Sequence, residues 1–253
     1  SPAIPPTTEF PPMVDHSISE NFPNHFQRES LDLVGNLLPL SSSGFYLVGP
    51  DIRHRGVVLR NLPAQVEQDY TDIFRELDPL RPALFEHTDT RVVCLDEILK
   101  ETELLASEYY QHFMSPLNHR HVADMFFRSD GDIIAVLTML RAADLGPFSP
   151  GELALLRTLQ PFLEFTLNRV YLPRRRRERA TLGQQHGFTE RELDVAELLL
   201  AGASNKVIAM ELGLSVATVK THLQHVFRKV GVTSRTALSV RLLGDLGLRN
   251  TER

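Results

Sequence analysis

Residues 188–243 read FTERELDVAELLLAGASNKVIAMELGLSVATVKTHLQHVFRKVGVTSRTALSVRLL, and this stretch predicts a small all-helical domain. A side chain able to cap a helix precedes each of four runs with helical periodicity; these residues are Thr189, Ser204, Ser215 and Ser234. Glu192 follows the first of them by three residues, which is the spacing of a capping box. Gly202 and Gly213 follow the first two runs and can adopt the left-handed conformation that ends a helix. The stretch therefore predicts four consecutive helices.

The third predicted helix has one apolar and one polar face. Its apolar residues recur at steps of four, three and four and are Val219, Leu223, Val226 and Val230. Its polar side carries Lys220, Thr221, Gln224 and Arg228. The run 213–216 that precedes it has the length of the turn in a helix-turn-helix. A helix with these two faces can bury one side in its own domain and offer the other to the major groove.

These segments resemble, in order and spacing, the C-terminal DNA-binding domain of the LuxR/NarL/FixJ family of bacterial transcription regulators. The matching segments are 189–192, 202–206, 208–209, 214–215, 218–222, 228–232 and 234–236. Val207 departs from the family, which usually has Glu there, and this removes the capping-box partner of Ser204. The resemblance implies a sequence-specific transcriptional regulator and not an enzyme. It also implies that a homodimer binds double-stranded DNA through paired half-sites in the major groove, with RNA polymerase as a further candidate partner.

The resemblance assigns roles to individual positions. Lys220, Thr221 and Gln224 match positions that meet base edges, and Lys and Gln can read guanine and adenine there. Positions that match or adjoin phosphate contacts are Lys206, Ser215, Thr218, Arg228 and Lys229. Val240 and Leu243, on the fourth helix, are the expected dimer surface. The alternative interpretation of the polar residues is a solvated helix face without a partner.

The charge of the chain is distributed unevenly. The 253 residues carry a net charge of −5, yet residues 171–253 have 14 Lys and Arg against 8 Asp and Glu, whereas residues 1–170 have 13 against 24. This asymmetry predicts a basic DNA-binding domain joined to an acidic partner domain. Five arginines within 174–179 follow Pro173 and predict a basic linker, which either is solvated or extends a helix end.

Four segments make up the predicted organisation. They are a flexible N-terminal arm at 1–20, a sensory and dimerisation domain at 21–171, the basic linker at 172–187 and the helix-turn-helix domain at 188–250. The arm is rich in proline and lacks the basic start and apolar core of a signal peptide. The single Cys94 excludes an internal disulfide, and no apolar run is long enough to span a membrane, so we expect a cytoplasmic protein.

Residues 21–171 have an α+β pattern. Helices are predicted at 26–38, 64–77 and 149–170, with further helical signals up to Met114 and a kink at Pro161. Ser149 is the predicted N-cap of the last helix, and Ile73 and Leu77 are expected on the apolar face of the second. Strands are predicted at 44–48, 56–60, 92–95, 121–127 and 133–140. A turn at 49–51 joins the first two strands and a turn at 129–132 joins the last two, so each pair predicts a hairpin. This order, together with segments 130–137 and 148–152, resembles a GAF/PAS-type sensory domain, in which helices flank an antiparallel sheet and a pocket lies between them.

A GAF-like domain implies a small-molecule effector, by analogy with the fold alone. The candidate pocket residues are Tyr46, Tyr70, Phe74, Tyr110, Phe113, Phe126 and Met139, with Phe45, Tyr109 and Met114 as further aromatic or sulfur-bearing candidates. The alternative for each is a place in the core. The chain has no Trp, which lactone receptors of the LuxR type use to hold the lactone carbonyl, so that site is incomplete. The order of residues typical of a phosphorylated receiver domain is also missing.

No cofactor or metal is predicted. The set His112, His119, His121 and Asp124 has no recognised metal-ligand spacing. Two functions remain open for the first domain: it senses a small molecule and gates DNA binding, or it is a ligand-independent platform for protein interaction and dimerisation.

Overall fold

The computed structural model describes residues 25–48, 54–63 and 65–247. The predicted flexible arm at 1–20 and the turn predicted at 49–51 lie outside these residues. Within the described ranges, none of the helices combines the length and apolarity needed to cross a lipid bilayer.

Residues 25–171, for which the sequence predicts a sensory role and which are called the sensory part below, are built on a five-stranded sheet. Its strands are β1 (Ser42–Val48), β2 (His54–Arg60), β3 (Val92–Cys94), β4 (His121–Ser129) and β5 (Asp132–Arg141). The strand order is β2-β1-β5-β4-β3, and every neighbouring pair is antiparallel. Asp130 and Gly131 have φ values of 53° and 97° and turn β4 into β5, as an Asp-Gly hairpin turn requires. The predicted antiparallel sheet and both of its hairpins are therefore confirmed.

Helices cover both faces of this sheet. The α-helices of the sensory part are α1 (His25–Leu37), α2 (Gln65–Asp69), α3 (Leu95–Ile98), α4 (Glu101–Ala106) and α5 (Pro150–Thr166). One face, carrying Phe45, Phe127 and Leu137, packs against α1 and α5. The other face, carrying Val122 and Val136, lies against the layer that follows α2 and α4. Each aromatic or aliphatic side chain fully buried in this way stabilises the fold by about 1.5–3 kcal/mol.

The helix predicted at 64–77 is less regular than a single α-helix. α2 passes into a π-helical turn, Tyr70–Phe74, and then into a 3-10 turn, Arg75–Leu77. The expectation that Ile73 and Leu77 share the buried face is wrong, because these side chains are 61% and 42% exposed. Hydrogen bonding from i to i+5 turns the later side chains around the helix axis relative to an α-helical pattern.

A buried ion pair holds the start of α5 against the sheet. Arg141 donates from Nη2 to Glu152 Oε1 at 2.6 Å and from Nε to the Pro39 carbonyl oxygen at 2.8 Å. Glu152 also completes a capping box with Ser149, the predicted N-cap of this helix. The hydrogen bond from Arg141 is the main reason that the pKa of Glu152 falls to about 2. The predicted N-cap of this helix is therefore confirmed, and the helix continues through Pro161.

The arginine-rich segment is a helix and extends the end of α5. A π-helical turn, Leu167–Tyr171, joins α5 to α6, which runs over Leu172–His186. The expectation of a solvated linker is wrong for Arg175 and Arg179, because both guanidinium groups pair with Glu197 of the next helix. Gly183 lies inside α6 and not in a flexible joint.

Four helices form the C-terminal part, as predicted. They are α7 (Glu190–Leu200), α8 (Asn205–Leu212), α9 (Val216–Val230) and α10 (Arg235–Asp245). The hydroxyls of the four predicted caps each accept a backbone N–H three residues later. Gly202, Gly213 and Gly231 have positive φ and follow α7, α8 and α9.

The C-terminal helices contact the sensory part at two places besides α6. Helix α8 packs against the edge strand β2, where the carboxylate of Glu211 accepts the backbone N–H of Val57. Arg28 of α1 donates to the carbonyl oxygen of Ala201 at 3.1 Å. Glu67 of α2 lies near enough to Glu211 for their charges to repel. Burial first, and this repulsion second, raise the pKa of Glu67 from 4.5 to about 8.

Replacing Glu67 with Gln should stabilise the protein at alkaline pH. A carboxyl group whose pKa is higher in the folded than in the unfolded state is protonated in both states below pH 4.5, and its contribution to stability is then complete. As the pH rises from 4.5 through 8, the unfolded state loses its proton first, and this contribution to the free energy of unfolding is lost. We expect the free energy of unfolding of Glu67→Gln to exceed that of the wild type by at least about 1 kcal/mol at pH 8.5, with a smaller difference at pH 5.5. Urea denaturation at both pH values measures this.

The matched control is Glu108→Gln, which removes the same charge from an exposed position. The account of this contact would be contradicted if the free energy of unfolding of the wild type changed between pH 5.5 and 8.5 by no more than that of Glu67→Gln.

Candidate nucleic-acid interface and effector cavity

Helix α9 is held by its apolar side and presents its polar side. Val219, Leu223 and Val226 are buried in the core of the C-terminal helices. The three predicted base-contacting residues, Lys220, Thr221 and Gln224, are all exposed on the opposite side. The structure therefore brings these three side chains together on one accessible helix face, and their contact with bases remains a prediction.

The predicted phosphate-contacting residues fall into two groups. Lys206 and Arg228 are exposed, at the start of α8 and near the end of α9. Ser215 and Thr218 lie at the start of α9, where Ser215 Oγ accepts the Thr218 N–H at 3.0 Å. The remaining N–H groups of such a helix start point outward and can bind an anion.

Lys229 has an internal partner that the sequence did not predict. Its Nζ donates to Glu192 Oε2 at 2.6 Å and to the Gly187 carbonyl oxygen at 2.7 Å. The Glu192 side chain is 4% exposed and also accepts the Thr189 N–H at 2.8 Å. Burial opposes ionisation of Glu192, but the hydrogen bonds from Lys229 and Thr189 outweigh it and hold its pKa below the usual value. Lys229 thus ties α9 to the start of α7.

The two predicted dimer residues differ in exposure. Val240 on α10 is 68% exposed, whereas Leu243 is half-buried against the core of the C-terminal helices. A larger apolar surface that was not predicted residue by residue lies on α5, where Phe162 and Phe165 are 66% and 61% exposed.

A cavity of about 50 Å³ lies between the sheet and the helical layer of the sensory part. The sheet contributes Tyr46, Val122, Asp124, Val136, Thr138 and Leu140. The helical turns contribute Val66, Tyr70, Tyr109, Phe113, Met114 and Leu117, and the connecting segments contribute Leu62, Asp78, Pro82 and His119. The wall is therefore largely apolar and aromatic, with two carboxyl groups.

Asp78 is held in this wall by tyrosine hydroxyls. Tyr70 Oη donates to Asp78 Oδ2 at 2.7 Å, and the Tyr109 hydroxyl also bonds to this carboxylate. The backbone N–H of Leu80 donates to Asp78 Oδ1 at 2.8 Å. Burial raises the pKa of Asp78 to about 6, although these hydrogen bonds and Arg81 act in the opposite direction.

Asp124 lies in the middle of β4 and is 5% exposed. It pairs across the sheet with Thr138, which hydrogen-bonds its side chain. Its Oδ1 has no hydrogen-bond partner among the residues that the structure describes. Burial, and then the nearby Asp78, raise the pKa of Asp124 well above the usual value. A buried carboxyl oxygen without a partner is costly, so the position calls for a proton or a ligand.

Three of the seven predicted pocket residues line this cavity: Tyr46, Tyr70 and Phe113. Phe74 packs on Phe113 with ring centroids 4.9 Å apart. Tyr110 and Phe126 belong to the same layer but lie outside the lining, with Tyr110 under the Arg120 guanidinium and Phe126 against Phe85.

The expectation for Met139 is wrong, because this side chain is buried on the opposite face of the sheet, as is that of Phe45. Tyr109 and Met114, the other two additional candidates, do line the cavity.

The two carboxyl groups were missed as pocket residues, although a signal for Asp124 was present. Along His121–Phe127 successive side chains project from opposite faces of the sheet, so Asp124 lies on the same face as Val122 and Phe126. A carboxyl group between two apolar residues of one strand face is exceptional and marks a functional position. The sequence offers no comparable signal for Asp78, whose burial depends on the surrounding tertiary structure.

The histidines considered for a metal site lie in separate surroundings. His121 Nδ1 is 3.0 Å from Asp96 Oδ2, and His119 Nε2 is 3.0 Å from Ser42 Oγ. Within the described ranges, no three His, Cys, Asp or Glu side chains are grouped so that they could hold a metal ion.

A second cavity, of about 260 Å³, lies between α1, α6 and α7. Charged groups on its walls are paired with one another: Arg175 and Arg179 with Glu197, and Arg174 with Glu178. The smaller cavity is therefore the stronger candidate for a ligand site, because it contains a buried polar atom to which none of the described residues hydrogen-bonds.

Comparisons with known proteins match both the C-terminal segment and most of the chain. Residues 186–242 match the family described as bacterial regulatory proteins, luxR family. The chain is 33% identical to the monoamine regulon transcriptional regulator of Klebsiella aerogenes over 215 residues, which cover 83% of this chain and 87% of the relative. It is 43% identical to the nitrate/nitrite response regulator protein NarP of Escherichia coli (strain K12) over 75 residues, 28% of this chain and 35% of NarP.

Among solved structures, Escherichia coli SdiA aligns over 92% of this chain and 94% of its own, with a TM-score of 0.39 and 18% identity. The near full-length similarity to the Klebsiella aerogenes regulator, and the matched family segment that contains α7 to α9, agree with the helix-turn-helix geometry. The chain belongs to the luxR family of bacterial regulatory proteins and is a transcriptional regulator with a luxR-type helix-turn-helix.

Proposed function

We propose that this regulator senses a small molecule in the cavity of its sensory part and that occupancy of the cavity gates DNA binding by α9. The observation that carries the proposal is the position of α2. Val66 and the adjoining Tyr70 line the cavity, while Glu67 faces Glu211 of α8. A ligand that displaces α2 therefore acts on the first helix of the helix-turn-helix.

The proposed gating needs two states with different affinities for the ligand. In one state α8 packs against β2, and the contact is weakened by the neighbouring carboxyl groups of Glu67 and Glu211. In the other state this contact is rearranged and α9 takes a different position relative to the partner subunit. Because a homodimer must match the spacing of two half-sites, a change in that position alters affinity.

DNA recognition is assigned to α9. We propose that Lys220, Thr221 and Gln224 read bases and that Lys206 and Arg228 contact phosphates. Lys229 is proposed to be structural, because its ammonium group is already bound to Glu192 and Gly187. Because the proposed target is bacterial DNA, we propose that the protein works in the cytoplasm, with RNA polymerase as the further candidate partner. The Klebsiella aerogenes relative is named for a monoamine regulon, and control of genes for amine use is the matching proposal for this chain.

A ligand-independent dimerisation platform is the second candidate function. The observation that favours it is the exposed pair Phe162 and Phe165 on α5, one turn apart on the same side of the helix. A second copy packing on this side would cover both rings. Gating by the cavity and dimerisation through α5 can both operate in the same protein. Dimerisation would remain as the single function of this part if changes in the cavity had no influence on DNA binding.

Filling the cavity from α2 should change DNA affinity without any ligand. Val66→Phe adds volume to a wall of the cavity, and we expect affinity for a selected operator to change by at least about fivefold, the lower range of allosteric coupling. Fluorescence anisotropy with labelled duplex DNA measures the affinity, and circular dichroism checks folding.

The control for this experiment is Ile73→Phe, in the helical turn after α2 but 61% exposed. Equal affinities for the wild type and a folded Val66→Phe would refute gating and favour the dimerisation platform.

Base-reading and phosphate-contacting residues should differ in how they affect specificity. Lys220→Ala and Gln224→Ala should each reduce the preference for operator over random DNA by about 1–3 kcal/mol. Arg228→Ala should weaken binding to both DNAs alike and reduce the slope of log affinity against log salt by about 1. Anisotropy titrations at three salt concentrations measure both quantities, and uniform losses for all three variants would contradict the assignment.

Lys229→Met should destabilise the C-terminal helices and leave the salt slope intact. Removing the ammonium group leaves the buried carboxylate of Glu192 unpaired, which costs about 3–5 kcal/mol for a buried ion pair. Urea denaturation measures the loss, with Lys206→Met as the exposed control. Unchanged stability together with a salt slope lowered by about 1 would instead make Lys229 a phosphate contact.

A further inference from the structure

We propose that the ligand of the sensory cavity is a small organic cation, a primary ammonium with an apolar or aromatic substituent, held by the carboxylates of Asp124 and Asp78. This inference rests on the proposed function, since it names the chemical class of the effector for the same cavity.

The first argument is the unsatisfied carboxyl group. Asp124 is 95% removed from solvent, lines the cavity, and has one oxygen without a hydrogen-bond partner among the described residues. Its position between apolar residues of β4 keeps water from solvating that oxygen. A cationic hydrogen-bond donor in the cavity would satisfy it.

The second argument is the charge balance of the wall. Among the described residues that line the cavity are two Asp and one His, and neither Lys nor Arg. Burial lowers the pKa of His119, so it is neutral at pH 7. Arg81 influences Asp78 from outside the lining, and Asp124 pairs with no cationic side chain of the part of the chain that the structure describes. An anionic ligand would meet two carboxyl groups without a cation, so the wall selects against anions.

The third argument is the aromatic part of the wall. Tyr70 and Tyr109 both contact Phe113, with ring centroids 5.7 and 5.4 Å apart. Both tyrosine hydroxyls donate to Asp78, so this carboxylate is oriented before a ligand arrives. Aromatic faces attract an ammonium group through their quadrupole, and they also contact its apolar substituent. Carboxylates combined with aromatic rings match an organic ammonium better than a neutral amide or lactone.

Proton exchange accompanies binding in this proposal. Burial holds the pKa of Asp124 well above its usual value, so this carboxyl group keeps its proton to a higher pH than an ordinary aspartate does. Binding places the ammonium beside the Asp124 carboxylate and releases that proton to solvent, so charge in the cavity is conserved. Affinity should therefore rise with pH, since the deprotonated cavity is the form that binds.

The test uses isothermal titration calorimetry on the full chain with three ammonium probes: ethylammonium, butylammonium and 2-phenylethylammonium. Each probe is compared with the alcohol of the same carbon skeleton, and 3-phenylpropionate serves as the anionic comparison. We expect at least one ammonium to bind at least about tenfold more tightly than its alcohol. Its affinity should increase up to about tenfold per pH unit between pH 6 and 8, the limit for release of one proton. Titration in two buffers of different ionisation enthalpy should show release of close to one proton.

Asp124→Asn should remove both the preference for ammonium and the pH dependence, while binding of the alcohol changes little. Asp130→Asn is the matched control, because it removes the same charge from the exposed β4–β5 turn. Thermal denaturation shows whether each variant is folded. Wild-type affinity for ammonium in a folded Asp124→Asn, or preference for the alcohol or the anion, would overturn the proposal.

The outcomes separate this inference from the proposed function. If none of the ammonium probes binds while Val66→Phe still changes DNA affinity, the ammonium proposal fails and gating stands. If an ammonium binds through Asp124 but leaves operator affinity unchanged in anisotropy titrations, the ligand class stands and gating fails.

Discussion

The sheet with helices on both faces is the constraint on which the rest of this protein depends. Because both faces are covered, side chains 121–127 of β4 and 135–137 of β5 are all buried, whichever way they point. Apolar residues meet this condition on the face toward α1 and α5. The other face includes Asp124, and the cost of burying its carboxyl group is what makes the adjoining cavity chemically specific.

Contacts between the two parts of the chain join this cavity to the DNA-binding helices. Helix α2 carries cavity residues on one side and Glu67 on the other, where it meets Glu211 of α8. At a second contact, α6 ties the sensory part to α7 through Arg175, Arg179 and Glu197. These ion pairs are partly buried, and their arginines belong to a helix that continues from α5, so the contact is strong. The α8 contact includes the carboxyl groups of Glu67 and Glu211, whose burial is unfavourable and raises both of their pKa values. It is therefore the weaker of the two contacts and the one that a ligand can change more readily.

The sequence predicted helices and turns well where residues close together in the chain decide their structure. The four C-terminal caps and the Asp-Gly turn depend on residues within three or four positions of one another, so the sequence contains all that is needed. The π-helical turn after α2 was not predictable in this way, and the exposure of Ile73 and Leu77 follows from it. Likewise, five arginines suggested solvation, but the acidic partners of Arg179, which are Glu190, Asp194 and Glu197, lie on another helix.

By itself, then, the sequence determined the family, the helix-turn-helix, the polar face of α9 and the antiparallel α+β class, because periodicity and capping are local properties. Only the tertiary structure decided which aromatic residues line the cavity and which are core, since Met139 and Tyr46 differ only in the face of the sheet from which they project. It also decided that Lys229 binds Glu192 and that Asp78 and Asp124 meet in one cavity. Such pairings join residues 37 and 46 positions apart, and chain packing alone brings them together.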